Sequence, residues 1–336
     1  MSFENHAIEQ KKFYILKALG DSEKPLGSRA IATQLQKFGI RLDESAVRYH
    51  LRLMDEKGLT GMIRHRDGRI ITEYGRTELK RALVSDKVGL AMSRIETLAF
   101  GTDFDPDTLT GSLPVNISFF HRTDFKKALG VMNSVFQAGF SVSDRVLAAD
   151  EGERMGELIV PPGMVGFATV CSIAINGALL KAGVPVNSKF GGVLQMRNHR
   201  PLRFVELIYY TGSSMDPSEI FIRAGMTKIS QVHETGDGEI LANFREIPAV
   251  CQTLTSEIAS KLEKAGIGGI ILMGDVSKPV CEIPVDVNRV GVVLIGGLNP
   301  VAAAREAGIE SESHAMSTLV TYDSLVKFSE VYSKWG

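Results

Sequence analysis

Polar residues that could bind a small anion stand at turns in the second part of this 336-residue sequence. Turns such as "TVCSIAING" and "TGSSMDP" combine hydroxyl groups, backbone amides beside glycines and a few cations, a set of groups suited to a carboxylate. The candidate ligand-binding residues are Ser172, Asn176, Lys189, Ser213, Thr227 and Arg245. Each also has a structural interpretation, since Ser172 and Asn176 are typical helix-capping residues.

No motif in the sequence predicts catalysis. It lacks a glycine-rich phosphate loop, a metalloprotease HExxH, a GxSxG nucleophile turn and any Cys/His cluster with zinc spacing. We therefore expect no catalytic residues, no metal and no cofactor, and we expect the protein not to be an enzyme. The alternative is an enzyme of small carboxylates in which Arg245 or Ser172 is needed for turnover. The three widely spaced cysteines are expected to be free thiols in a reducing compartment.

A second set of candidate residues lies in the stretch "LDESAVRYHLRLMDEKGL", residues 42–59. At about 100° per residue, its polar and basic side chains fall on one side of a helix, and Val47, Leu51 and Met54 fall on the other. A following "RHRDGR" places further basic residues at the tip of a predicted hairpin around Asp67-Gly68. The candidate DNA-binding residues are Ser45, Arg48, Tyr49 and Arg52 in the helix and Arg64, His65, Arg66 and Arg69 in the hairpin.

The elements around these basic residues predict a winged helix-turn-helix over residues 1–80. Two amphipathic helices precede the stretch, with Ser28 and Asp43 as predicted N-caps and Gly39 and Gly58 as predicted helix ends. In such a module the third helix enters the major groove of DNA, and the hairpin contacts phosphates or the minor groove. Residues 1–80 have a net charge of +4 and the remainder −5, which agrees with an anion-binding head. A protein-binding module and an RNA-binding module are the alternatives.

The rest of the chain contains an internal duplication. "VGFATVCSIAINGALLKAGVPV" from Val165 and "VGVVLIGGLNPVAAAREAGIES" from Val290 share one pattern of strand, turn and helix. Glycines recur at nearly constant offsets in the two repeats. The offset is 127 residues for Gly139 and Gly266, and 125 residues both for Gly166 and Gly291 and for Gly183 and Gly308. Each repeat reads strand–helix–strand twice, which predicts two plaits of the split βαβ type packed with a cleft between them.

The fold class predicted from the sequence is therefore α/β (α+β): a winged helix-turn-helix and an internally duplicated, plait-like regulatory domain. We expect the DNA-binding domain at 1–80, a connecting helix and linker at 81–113, and the effector-binding and dimerisation domain at 114–336. The sequence has no signal-peptide pattern and no run of about 18 apolar residues. We therefore expect a cytoplasmic protein without membrane contact.

Long runs in the second part resemble a known family. "CSIAINGALLKAGVPV", "SKFGGVLQMRN", "PLRFVELIYYTGSSMDPSEIFIRAGMT", "GDGEILANFREIPA" and "RVGVVLIGGLNPVAAAREAGI" are similar to the regulatory domain of the NrpR nitrogen-regulation repressors of methanogenic archaea. The resemblance covers about residues 80–330. The predicted head agrees with it, because family members carry an N-terminal winged helix-turn-helix.

The resemblance implies a transcriptional repressor of nitrogen-assimilation genes that binds palindromic operators in double-stranded DNA. It implies 2-oxoglutarate, a small carboxylate, as the effector that lowers operator affinity and releases repression. A homodimer or higher oligomer is expected. Some members carry two regulatory domains and this chain has one, so a companion regulator is a further expected partner. An effector-free regulator that binds a protein partner is the remaining alternative.

Overall fold

The structure, a computed structural model, describes residues 3–22, 24–64, 68–80, 88–156 and 158–336. The chain forms two compact units, Met1–Val88 and Gly89–Gly336. The elements of the first unit are α1 (Phe3–Gly20), α2 (Ser28–Lys37), α3 (Glu44–Glu56), β1 (Thr60–Arg64), β2 (Gly68–Ile71) and α4 (Glu73–Lys80). Strands β1 and β2 pair in an antiparallel hairpin. The predicted winged helix-turn-helix is confirmed.

Most of the predicted helix ends in the first unit are correct. The Asp43 side chain accepts a hydrogen bond from the Ala46 N–H at 2.7 Å and so caps α3. Gly39 and Gly58 follow their helices with φ of +74° and +70°. The N-cap predicted at Ser28 is wrong, because Gly27 holds that position and the Ser28 hydroxyl donates to the Glu44 carboxylate instead.

The second unit contains the two predicted repeats. The first repeat is β3 (Ser112–His121), α6 (Arg122–Gln137), β4 (Arg145–Ala149), β7 (Met164–Val170), α7 (Ile173–Lys181) and β8 (Asn187–Arg197), preceded by α5 (Leu90–Gly101) and interrupted by the hairpin β5 (Arg154–Met155) and β6 (Leu158–Ile159). Strand β9 (Arg200–Tyr209) and helices α8 (Pro217–Arg223) and α9 (Ile229–Thr235) join it to the second repeat.

The second repeat has the same order of elements. It comprises β10 (Gly238–Pro248), α10 (Gln252–Lys264), β11 (Ile270–Val276), β12 (Arg289–Ile295), α11 (Asn299–Glu306) and β13 (Ser311–Thr321), and the chain continues with β14 (Val326–Lys327) and α12 (Phe328–Trp335). Both repeats therefore read βαββαβ, as the glycine offsets predict.

The two repeats exchange their last strands, a feature that the repeat pattern did not predict. One sheet has the order β13-β3-β7-β4-β14, and the other has the order β11-β12-β10-β8-β9. Each sheet thus contains three strands of its own repeat and the last strand of the other. The exchange makes the two repeats a single folding unit, because each supplies a strand that the other sheet needs.

The helices before the exchanged strands lie deep in the second unit. All residues of α7 from Ile173 to Leu179 are buried, and so are the first six residues of α11. A helix that is apolar on all sides belongs in the interior. The turns that lead into α7 and α11 are consequently also buried, which places their polar groups away from bulk water.

The boundary between the units differs from the predicted one. Helix α5 was expected in a connector at 81–113, but it belongs to the second unit, where Ile95 and Leu98 pack in a cluster with Ile173 and Tyr210. The Arg94 guanidinium donates to backbone carbonyls of β13. The apolar stripe of α5 thus covers the part of the unit where the two repeats meet.

Candidate functional site

A small buried cavity lies where β7 and β12 end and where α7 and α11 begin. Its volume is about 20 Å³, roughly the space of one water molecule. Both repeats contribute to its walls, and so do Ile95 of α5 and Met316 of β13. The positive ends of two helix dipoles point toward it, since Ser172 and Gly297 precede α7 and α11 at equivalent places.

Arg245 lines this cavity, and its guanidinium has fewer hydrogen-bond partners than N–H donors. Its side chain is only 2% exposed, and its Nη2 donates to the Ser172 hydroxyl at 3.1 Å. Nε and Nη1 have no hydrogen-bond partner among the described residues. Burial lowers the pKa of Arg245, because a guanidinium in an apolar interior loses its hydration. A buried cation with two free donors is a site for an anion.

Two asparagines extend the polar wall of the cavity on both sides. Asn116 in β3 and Asn243 in β10 are 127 residues apart, the offset of the first glycine pair. The Asn116 Oδ1 accepts from the Met316 N–H at 3.0 Å, and the Asn243 Oδ1 accepts from the Tyr210 hydroxyl. The NH₂ group of Asn116 donates to the Thr169 hydroxyl at 3.4 Å, and that of Asn243 donates to Ser172 Oγ at 3.2 Å.

One carboxyl group, that of Asp216, lines the remaining side of the cavity, and a second, that of Glu219, bonds to the backbone of the lining residue Ala315. Asp216 is 8% exposed and accepts from the Ser218 N–H at 2.7 Å at the start of α8. Burial raises its pKa, although the nearby Arg245 opposes the change. Burial also raises the pKa of Glu219 to about 7, while its carboxylate accepts from the Ala315 N–H at 2.8 Å.

The structure brings only part of the predicted ligand set to this cavity. Ser172 and Arg245 are in direct contact, and Ser172 occupies the N-cap position of α7 without capping the helix through its side chain. Ser213 lies in the adjoining turn, where its hydroxyl bonds to the backbone of Met215. Asn116, Tyr210, Asp216 and Asn243 were missed. Aligning the repeats would have indicated the two asparagines, because they share the glycine offset.

The other three predicted ligand residues have structural contacts elsewhere. The side-chain amide of Asn176, inside α7, donates to the Ser188 hydroxyl at 3.0 Å, so this residue is not a cap. Lys189 forms ion pairs with Glu246 at 3.1 Å and with Asp286 at 2.9 Å. The Thr227 hydroxyl donates to the Glu306 carboxylate at 2.7 Å. None of the three residues lines the cavity.

The first unit presents the predicted polar stripe on α3. Val47, Leu51 and Met54 are buried with His50, and the opposite side of the helix is exposed. The exposed residues of the stripe are Ser45, Arg48, Tyr49 and Arg52. Arg48 forms an exposed ion pair with Glu44 at 2.8 Å, and the Arg52 guanidinium lies 5.9 Å from the centre of the Tyr49 ring.

The hairpin residues divide into two groups. His65, Arg66 and the side chain of Arg64 lie outside the described part of the structure. Arg69 does not extend from the hairpin tip as expected: its guanidinium forms an ion pair with Asp55 of α3 at 2.7 Å and is 18% exposed. The Arg69 backbone also pairs with Leu26. Arg69 therefore ties the hairpin to the helices of the same unit.

Family models match both units. Residues 13–79 match the ribonuclease R winged-helix domain, and residues 88–327 match the NrpR regulatory domains NRD1 and 2. A winged helix joined to a regulatory domain defines a transcriptional regulator. The chain belongs to the NrpR family of global nitrogen regulators. Because the matching proteins are regulators, the expectation that the chain is not an enzyme is confirmed.

Individual relatives agree with this assignment. The chain is 40% identical over 318 residues to the global nitrogen regulator NrpRI of Methanosarcina mazei, covering 95% of this chain and 98% of that protein. It is 31% identical to the NrpR of Methanococcus maripaludis, covering 96% of this chain but 57% of that longer protein. The crystal structure of a nitrogen repressor-like protein from Methanococcus jannaschii matches with a TM-score of 0.60 and 27% identity, covering 71% of this chain and 98% of that one.

Two further features of the described residues concern the expectations about membrane and metal partners. No helix in the described ranges combines the length and the apolar character needed to cross a bilayer. The described His, Cys, Asp and Glu side chains form no group of three or more suited to a metal ion.

Proposed function

We propose that the protein is a ligand-responsive repressor of nitrogen-assimilation genes that binds operator DNA through its first unit. The exposed stripe on α3 supports this proposal, because arginines at one-turn spacing can contact guanine edges and phosphates. Arg64, His65 and Arg66 are proposed to add contacts from the hairpin. The Arg48–Glu44 pair is exposed and so costs little to rearrange on DNA.

We propose 2-oxoglutarate as the effector, bound in the cavity between the repeats. The observation that carries this proposal is the buried Arg245, whose Nε and Nη1 have no partner within the described ranges. Carboxylate oxygens there would accept hydrogen bonds from Nε or from Nη1, which point to different sides of the guanidinium, and from the Ser172 hydroxyl, and they would face the positive ends of α7 and α11. The supporting residues are Ser172, Asn116 and Asn243; Asn176, Lys189 and Thr227 are not part of the proposed site.

Effector binding is proposed to move α5. A cavity of about 20 Å³ is too small for a dicarboxylate, so binding requires its walls to separate. Ile95 of α5 is one of these walls, and the Ala91 N–H bonds to the Ser213 carbonyl beside it. Because α5 begins two residues after the first unit ends, its displacement changes the start of the connection to the DNA-binding unit. A coupling free energy of about 1–3 kcal/mol is typical of such systems.

Palindromic operators would require two DNA-binding units, so a homodimer, a higher oligomer or a companion regulator completes the proposal. The test is binding of the full chain to a promoter fragment of a nitrogen-assimilation gene, measured by fluorescence anisotropy. Arg52→Ala is expected to weaken binding about tenfold, as is typical of a lost base or phosphate contact. Arg76→Ala, an exposed arginine of α4, serves as the control.

Addition of 2-oxoglutarate is expected to weaken DNA binding of the wild-type protein about 5- to 150-fold, the range that matches the coupling free energy above. Unchanged DNA binding in Arg52→Ala would reject the proposed role of α3. Unchanged DNA affinity at saturating 2-oxoglutarate would reject the effector and favour a regulator that responds to a protein partner.

A further inference from the structure

The cavity offers its ligand several hydrogen-bond donors. Nε and Nη1 of Arg245 have no partner among the described residues, and the NH₂ groups of the two asparagines, which donate to Thr169 and Ser172, line the same cavity. The oxygens of Asn116 and Asn243 already accept from Met316 and from Tyr210. Such a site complements oxygens, because carboxylate and keto oxygens accept hydrogen bonds and an ammonium group only donates them.

Asp216 is a group in this wall whose protonation state decides whether it can donate a hydrogen bond to the ligand. One of its oxygens accepts from the Ser218 N–H, and the Ser218 side chain is a further hydrogen-bond partner of the carboxyl group. The residue is 8% exposed and lines the same cavity as Arg245. A ligand carboxylate bound to Arg245 therefore lies close to Asp216, where an ionised carboxylate would repel it and a protonated one can donate to it.

We propose that Asp216 is a specificity-determining residue of the effector cavity, which donates a hydrogen bond from its protonated carboxyl group to an oxygen of a bound 2-oxo dicarboxylate. This inference rests on the proposed effector function of the cavity. The protonated form presents a donor to the oxo oxygen and no negative charge to the ammonium of the corresponding 2-amino acid, whereas the ionised form would attract that ammonium, so the preference for the oxo acid over glutamate is expected to increase as pH falls. Binding of the oxo acid takes up a proton from the solvent at Asp216.

The groups that face Asp216 are compatible with this assignment. Arg245 is the cation, while burial raises the pKa of Cys171 to about 12 and that of Tyr210 well above its usual value, so both remain uncharged near neutral pH. Glu219, on the same short helix, is the remaining group that titrates near neutrality. The carboxylate of Glu219 forms an ion pair with the guanidinium of Arg223 at 3.7 Å.

The test is calorimetric titration of the full chain with 2-oxoglutarate and with glutamate, between pH 6 and 8, in buffers of different ionisation enthalpy. The wild type is expected to take up close to one proton per 2-oxoglutarate at pH 8, and its affinity is expected to fall with rising pH by up to about tenfold per unit. Glutamate is expected to bind about 100-fold more weakly at pH 6, where its ammonium faces donors, and the difference is expected to narrow toward pH 8 as Asp216 ionises.

Two matched amide variants assign the proton. Asp216→Asn keeps the helix-capping oxygen and an N–H donor, so it is expected to bind 2-oxoglutarate without proton uptake and without pH dependence. Glu219→Gln is expected to retain the proton uptake.

Three outcomes would overturn the assignment to Asp216 and leave the effector proposal standing. They are binding of 2-oxoglutarate without proton uptake by the wild type at pH 8, uptake that persists in Asp216→Asn, and tight glutamate binding at pH 6 that Asp216→Asn abolishes. The first of these needs no variant, so the test holds even if a variant fails to fold. Absence of 2-oxoglutarate binding at every pH would reject both the effector proposal and this inference.

Discussion

The two repeats of the second unit have the same topology but unequal chemistry where they meet. Asn116 and Asn243 occupy equivalent positions, 127 residues apart. At the same offset, Arg245 corresponds to Ser118, which bonds to Ser313 of the exchanged strand β13. Ser172, 125 residues before Gly297, has no hydroxyl counterpart there. The duplication thus gives both repeats the same strands and a helix N-terminus at the cavity. The repeats differ at two positions, and because of Arg245 only one of them contributes a charge.

The largest expected effect comes from removing that charge. Arg245→Met is expected to weaken 2-oxoglutarate binding about 100- to 1,000-fold, because the carboxylate loses a buried charged partner. The free energy of unfolding is expected to stay equal or to rise by about 1–3 kcal/mol, since an apolar side chain replaces a buried cation with unpaired donors.

Calorimetry and chemical denaturation measure these two quantities. Arg200→Met, at an exposed arginine of β9, is the control. A large loss of stability in Arg245→Met would show that the arginine is structural, and the contrast between the repeats would lose its functional meaning.

The two acidic residues near Arg245, which are Asp216 and Glu219, come from the segment between the repeats. Burial raises the pKa of Glu219 from 4.5 to about 7, so the free energy of unfolding that depends on this residue decreases as pH rises from about 4.5 to about 7. Glu219→Gln lacks this loss. The difference in unfolding free energy between the variant and the wild type is expected to move by roughly 3 kcal/mol in favour of the variant across that window.

Urea denaturation of both proteins at pH 4.5, 6 and 8 measures the change. Parallel pH profiles of variant and wild type would mean that Glu219 titrates normally and that the side of the cavity near α8 is open to water.

The second position at which the repeats differ is Gly297, which corresponds to Ser172. A Cβ atom built there would lie 2.4 Å from the Val170 carbonyl oxygen and 2.7 Å from the Asn116 amide nitrogen. Gly297→Ser, which copies Ser172 into the second repeat, is therefore expected to destabilise the protein by about 2 kcal/mol. Gly130→Ser, where a Cβ would meet nothing within 4 Å, is the control.

Thermal unfolding of the two serine variants checks this expectation. Equal midpoints would mean that the backbone relaxes around α11 and that the absence of a hydroxyl there has another origin.

The smallest expected effect compares two arginines of the first unit. Arg69→Ala removes a partly buried ion pair with Asp55 and is expected to lower the stability of this unit by about 1–2 kcal/mol. Arg52→Ala, at an exposed residue, is expected to change it by less than about 0.5 kcal/mol. Denaturation measured by circular dichroism checks both, and equal losses would contradict the division of these arginines into a structural and a DNA-facing group.

Local patterns predicted much of this molecule. Helical periodicity gave the exposed stripe on α3, Asp43 and the glycines gave helix ends, and the glycine offsets gave two βαββαβ repeats. These features depend on residues close together in the chain, where spacing alone fixes which side chains share a face. The Ser28 cap failed because α2 already includes Ser28 as its first residue, so that Gly27 holds the N-cap position.

The sequence by itself determined the elements, the duplication and the presence of an arginine and a serine near turns. Only the tertiary structure decided that Ser172 and Arg245 meet, that Asn176, Lys189 and Thr227 do not join them, and that Asp216 does. The reason is the exchange of β8 and β13 between the sheets, in which β13 pairs with β3 across about two hundred residues of the chain. Strand patterns specify which face of a strand is buried but not which neighbour it pairs with, and that choice assembles the cavity.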